Sequence, residues 1–178
     1  MSPRLVIVLL LAGFVGCAKP PPLPEIAVRA ATADDLAGFR ADLGNRFAAE
    51  QLQPFDTALQ ELKLDAMNRG VATADARELD MQAVVNGKTV RETLILGWQA
   101  RRARLLRESA QLAGMLEPDL RLRQQTAARG TPESITTRIQ NEQDILGRLQ
   151  RDLTDAESRL TAWGATPEPA TNPPLPAR

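Results

Sequence analysis

The chain has 178 residues, 43% hydrophobic and 25% charged, with 22 basic residues balanced by 22 acidic ones. A neutral chain lacks the clustered positive surface that draws a protein to nucleic acid. With no His and a single Cys, it has no parts for the usual zinc sites, Ser-His-Asp or Cys-His nucleophiles, thiol redox pairs or an internal disulfide.

In chain order, Arg4 supplies a short positive region, Leu5 to Val15 is apolar apart from Gly13, and Gly16 precedes Cys17. As a helix the apolar run would span only about 16 Å of a hydrocarbon core roughly 30 Å thick. It therefore reads as the apolar region of a signal peptide and not as a transmembrane helix. Phe14-Val15-Gly16-Cys17 resembles the lipobox of bacterial lipoprotein precursors, with Phe14 standing where Leu is usual. The resemblance implies diacylglyceryl transfer to the Cys17 thiol, cleavage after Gly16 by the lipoprotein signal peptidase, and acylation of the new amine. Two or more acyl chains, at about 0.8 kcal/mol per buried CH₂, make a durable anchor. The next residue is Ala18 and not the Asp that, in well-studied Gram-negative lipoproteins, signals retention in the inner membrane. The resemblance thus implies a lipid-anchored protein of the cell envelope, on the outer membrane facing the periplasm.

Residues 1–16 are then the signal peptide, and residues 17–31 the lipidated Cys with a Pro-rich tether. Pro20, Pro21, Pro22 and Pro24 favour polyproline II, a semi-rigid stalk of up to about 43 Å. Five prolines between Pro167 and Pro176 mirror it, so residues 165–178 are expected as a Pro-rich disordered tail. The intervening 32–164 segment is rich in Ala, Leu, Arg, Glu and Gln, strong helix formers, and reads as a helical/coiled-coil domain.

Within it, Thr32 opens a capping box with Asp35, ahead of an apolar stripe of Leu36, Phe39, Leu43 and Phe47. Pro54 is expected to interrupt or restart that helix. Phe55, Leu59, Leu62 and Ala66 continue at helical spacing to Gly70, and Thr73 caps a shorter helix through about Val85. Asn86-Gly87 stops it, and Thr89 with Glu92 caps a long helix that closes at Arg129-Gly130. Gly87-Lys88-Thr89 resembles the end of a phosphate-binding loop, but the position of the motif's first Gly holds Gln82, and a helix stop followed by a cap explains the segment. Thr131-Pro132 starts the last helix.

From Ile135 to Trp163 that last helix repeats apolar residues at 4-3 spacing, with Glu142 the one polar residue on the seam. Asp144 with Arg148 and Asp155 with Arg159 are acid-first pairs on its outer face. A tight turn near Gly130 would set Trp98 beside Leu160, Leu105 beside Leu153 and Leu112 beside Leu146, in an antiparallel hairpin about 50 Å long. Pro118 threatens its register. The expected fold is all-α: a helical bundle with a long antiparallel αα/coiled-coil hairpin and Pro-rich disordered ends.

Besides Cys17, the candidate site is Arg101, Arg102, Arg104 and Arg107, four positive charges within two turns. They could hold an anion such as a lipid headgroup, lipopolysaccharide or a peptidoglycan carboxylate. The bland reading is internal compensation, with Arg104 turned to Asp155 and Glu108 and Arg107 to Asp152. Asp75, Glu78, Asp80, Glu117 and Asp119 lack calcium-loop spacing and read as exposed acids, while Trp98 and Trp163 read as core anchors. No catalytic group, metal site or cofactor emerges. The function expected is a non-enzymatic envelope lipoprotein acting as a helical scaffold, spacer or adaptor, whose partner is another envelope protein, a second copy of itself or the cell wall. The alternative is an accessory lipoprotein of a transport or secretion machine that binds an anionic ligand at Arg101–Arg107.

Overall fold

A computed structural model describes residues 22–166, and among them the fold is all-α. The leader, Cys17, Pro20, Pro21 and the prolines from Pro167 onward lie outside the described residues. A 3₁₀ turn at Leu23–Glu25 leads to α1 (Ala33–Gly44), α2 (Ala49–Asn68), α3 (Ala74–Val85), α4 (Val90–Thr126) and α5 (Glu133–Ala162). No helix among the described residues is long and apolar enough to cross a membrane.

The starts follow from side-chain oxygens that accept otherwise orphaned N–H groups. Thr32 Oγ1 accepts from the Asp35 amide, Thr73 Oγ1 from Ala76, and Thr89 Oγ1 from Glu92. Glu92 returns a carboxylate oxygen to the Thr89 amide at 2.7 Å, which completes the box. α5 begins one residue later than expected, with Pro132 at the cap position and Thr131 outside it. Gly130, at φ +86°, makes the turn between the long helices.

The first break does not fall at Pro54. It falls at Asn45–Ala48, where the Ala48 amide donates to the Gln51 side chain and starts α2, and Pro54 sits within that helix. Pro118 likewise lies inside an unbroken α4.

The tether was expected to lie clear of the body as far as residue 31, and here the structure differs. Val28 and Ala30 are buried in the core. The Val28 amide donates to Lys88 O (2.7 Å), Gly87 to Val28 O (3.0 Å) and Val90 to Ile26 O (2.8 Å), while Ala30 donates to Asn86 Oδ1 (2.9 Å). The α3–α4 turn leaves backbone groups that need partners, and this short extended segment supplies them. At the other end Ala165 packs on the core and donates to Leu160 O, so the body extends past residue 164 as well.

The main core gathers Leu36, Phe39 and Leu43 of α1 with Phe55, Leu59 and Leu62 of α2, Met81 and Val85 of α3, and Trp98, Leu105, Ala156 and Leu160 of the long helices. Phe39 and Phe55 meet edge to face, with ring centres 6.1 Å apart. α4 packs on both α2 and α5. Asp119 pairs with Arg138, Arg102 with Glu157, and the Trp98 ring with Trp163, so α5 retraces α4 in the opposite direction. Beyond Leu105 a small separate set, Leu112, Leu116 and Ile139, is buried between these two helices.

Candidate functional site

The arginine run lies where α4 is wedged between α2 and α5. Its position starts from two small residues. Ala58 of α2 lies so close to Gly97 of α4 that a Cβ on Gly97 would land on the Ala58 backbone and methyl. That approach carries Glu61, one turn further along α2, onto the flank of α4, where its side chain is only 5% exposed.

A buried carboxylate is costly unless it is charged against partners and hydrogen-bonded. Glu61 has three such bonds. Arg101 Nη1 donates to Oε1 at 3.0 Å, while Arg104 donates through Nε to Oε2 at 2.9 Å and through Nη2 to Oε1 at 2.6 Å. The two bonds from Arg104 form the planar fork that a guanidinium makes with a carboxylate. Arg104 also donates to Glu108 at 2.8 Å. The Glu61 hydrogen bonds are the main cause that holds the Arg104 guanidinium above its ordinary pKa; burial opposes them and Glu108 adds to them.

Arg101 reaches Asp152 of α5 at 3.9 Å and lies over the Trp98 ring at 5.4 Å from its centre. Arg159 approaches the same ring at 4.8 Å, and the indole N–H donates to Pro54 O at 3.1 Å. Trp98 and Trp163 meet edge to face at 5.7 Å. One Trp therefore joins α2, α4 and α5. Arg91 secures the end of α5 by donating to Trp163 O from two nitrogens, at 2.8 and 2.6 Å.

The four candidate arginines thus divide. Arg101 and Arg104 hold Glu61, Arg102 pairs with Glu157 at 2.8 Å on the opposite side of the α4–α5 seam, and Arg107 is exposed outside the clasp. The expected pairing of Arg104 with Asp155 is corrected. Asp155 bonds Arg159 on its own helix, and Arg104 turns to α2, a neighbour that a two-helix register leaves out. Asp152 pairs with Arg101 and not with Arg107. Glu61 was missed altogether. Its signal was the pair of small residues, Ala58 and Gly97, whose close approach brings a second face of α2 against α4.

Of the acids read as exposed, Asp75 is exposed as expected, whereas Asp119 is corrected: it is buried on α4. Glu78 meets Lys63, Asp80 meets Arg69 at 2.5 Å, Glu117 meets Arg121, and Asp119 meets Arg138. Asp144 takes a bond from Gln140. Glu142 lies partly buried on the seam with one carboxylate oxygen that has no hydrogen-bond partner. Gly87-Lys88 forms the turn that pairs with Val28. A pocket of about 130 Å³ between α1 and α2 is lined by Arg40, Leu43, Leu52, Phe55 and Asp56, with Arg40 and Asp56 joined at 2.7 Å. That is below the usual range for ligand pockets, roughly 300–1,000 Å³.

Comparison of the chain with protein families, with curated proteins and with solved structures finds no match in any of the three.

Proposed function

We propose that the chain is a lipid-anchored, non-enzymatic scaffold or adaptor of the bacterial cell envelope, held at the outer membrane on its periplasmic side. The lipobox resemblance at Phe14-Val15-Gly16-Cys17 carries the anchoring. The long α4–α5 pair supports the scaffold role. Ile26 bonds the start of α4 and Trp163 bonds Arg91, so the chain enters and leaves the body at the same end of this pair. A helix of 37 residues then carries the Gly130 turn about 55 Å from that end. We read α4 and α5 as a coiled-coil hairpin, with Leu105 and Leu112 facing Leu153 and Leu146.

The clasp argues for a structural arginine run over the alternative of an anion site. An incoming anion would have to displace a buried carboxylate from Arg101 and Arg104, and would leave Glu61 without compensation. The decisive experiment is metabolic labelling with palmitate. The parent chain incorporates label and is cleaved after Gly16, and Cys17→Ser abolishes both. Labelling that survives Cys17→Ser sinks the proposal.

A further inference from the structure

Gly97 has no room for a side chain beside Ala58, but two other glycines of the long helices have no such neighbour. A Cβ on Gly114 of α4 would meet nothing within 4 Å, and one on Gly147 of α5 only the far end of the Arg151 side chain at 3.7 Å. Neither has the positive φ of Gly130. Each therefore weakens its helix relative to Ala with no packing in return. Pro118 adds to this on α4. It has no N–H, so the carbonyl four residues back, that of Gly114, loses its helical partner, and the ring presses on the same carbonyl.

These positions fall at one level. The pairings Arg102–Glu157 and Asp119–Arg138 set Gly147 level with Gln111 and Glu142 level with Leu116, within about half a turn. From Gln111 to Pro118 is about 10 Å, two turns of helix. Within that span the seam holds Glu142, whose one carboxylate oxygen is buried without a hydrogen-bond partner, where a heptad seam calls for an apolar side chain. Among the described residues, no hydrogen bond or ion pair joins α4 to α5 between the Arg101–Asp152 contact and the Asp119–Arg138 pair. Leu112 and Leu116 are buried across the gap, but apolar contact is non-directional and tolerates a small change of angle.

We infer that the arm formed by α4 and α5 beyond the main core is jointed at this level. On the base side, Arg101–Asp152, Arg102–Glu157 and the main core fix the two helices to each other. On the tip side, the Asp119–Arg138 pair and buried Ile139 hold them together. The tip therefore swings as one body about 20 Å long. A bend of about 20°, the size at which prolines kink helices, carries the Gly130 turn about 7 Å sideways. An adaptor held at its base gains lateral reach in this way without unfolding. The joint itself does not depend on the proposed anchoring.

The test is the distance between two nitroxide labels in the full chain, with Cys17→Ser so that only introduced cysteines are labelled. Glu50, Arg107 and Gln125 are exposed. Glu50→Cys with Arg107→Cys puts both labels on the base side, and Glu50→Cys with Gln125→Cys spans the joint. Pulsed dipolar spectroscopy should give a narrow distribution for the first pair and one broader by about 7 Å for the second. Gly114→Ala, Pro118→Ala and Gly147→Ala together should narrow the second to the width of the first. Alanine favours helix at all three positions, so this variant keeps the fold. Two outcomes overturn the inference: a second distribution as narrow as the first in the parent sequence, or a broad one that the three alanines leave unchanged, which would put the motion at the Gly130 turn.

Discussion

Arg104 holds Glu61 across the α2–α4 interface with two parallel hydrogen bonds of 2.9 and 2.6 Å, around a carboxylate that is 5% exposed. Removal of the acid strands two half-buried guanidinium groups, which is the expensive way to break a buried pair. Glu61→Ala should cost about 2–3 kcal/mol, below the 3–5 kcal/mol of a fully buried pair because the arginines keep some solvent. Arg104→Ala should cost less, since Arg101 still serves Glu61. The double variant should lose less than the sum of the two, as groups in one network do. Urea denaturation of the four chains measures this. Additive losses would mean that the clasp contributes little.

Gly97→Ala sets two effects of opposite sign against each other. In an exposed helix the change stabilises by roughly 1 kcal/mol through propensity alone. Here the new methyl meets the Ala58 backbone, which cannot rotate away, and overpacking of this kind costs about 1–3 kcal/mol or more. The clash should win, with a net loss of up to about 2 kcal/mol and a weaker Trp98 contact reported by fluorescence. A stabilised Gly97→Ala would mean that α2 and α4 are further apart than described.

The helix starts were legible because a cap is a local device. Thr32, Thr73 and Thr89 each cap the helix as read from a few neighbouring residues, but the expected box at Thr32 is only half formed, because Asp35 accepts from the Thr32 hydroxyl. The first break was misread at Pro54, which as the sixth residue of α2 forgoes one helical bond, a loss offset by the core packing of Phe55, Ala58 and Leu59 just beyond it. The chain actually turns after Leu43, whose carbonyl takes the amides of Arg46 and Phe47. Residues 26–30 and Glu61 were illegible for a different reason. Both depend on which distant backbone or helix arrives beside them, and neither polyproline composition nor a two-helix register carries that information. Trp98 was expected as an anchor, but its bond to Pro54 O depends on a third helix, α2, packed beside the pair.

Glu92 gives the fold a pH dependence in acid. Its carboxyl is held below the ordinary value, first by the Thr89 backbone N–H and then by the Thr89 side chain. A group depressed in the folded state contributes stability above its unfolded value and loses it as pH falls through the folded one. The α4 cap should therefore be at full strength at neutral pH and fade below the normal carboxylate range. Glu92→Gln should narrow the stability gap to the parent as pH drops from 7 to 3. A gap that stays constant or widens in acid would contradict the charged cap.

Local stability should fall along α4 and α5 from the main core toward the Gly130 turn. The base end has Trp98, Leu105, Ala156 and Leu160 packed with α2, whereas the arm buries only Leu112, Leu116 and Ile139 between two helices. Openings of small size expose little apolar surface there, so they cost less free energy than opening the core. The Asp119–Arg138 pair, with Asp119 buried, is the main polar tie near the turn. Hydrogen exchange of dilute, monomeric chain should show amides in residues 110–149 exchanging well before those of α2 and residues 93–105. Asp119→Ala should speed exchange in the arm alone, because Arg138 then loses its partner while the Glu61 clasp is untouched. Equal protection at both ends, or a loss that spreads to α2, would mean that the arm and the core open as one unit.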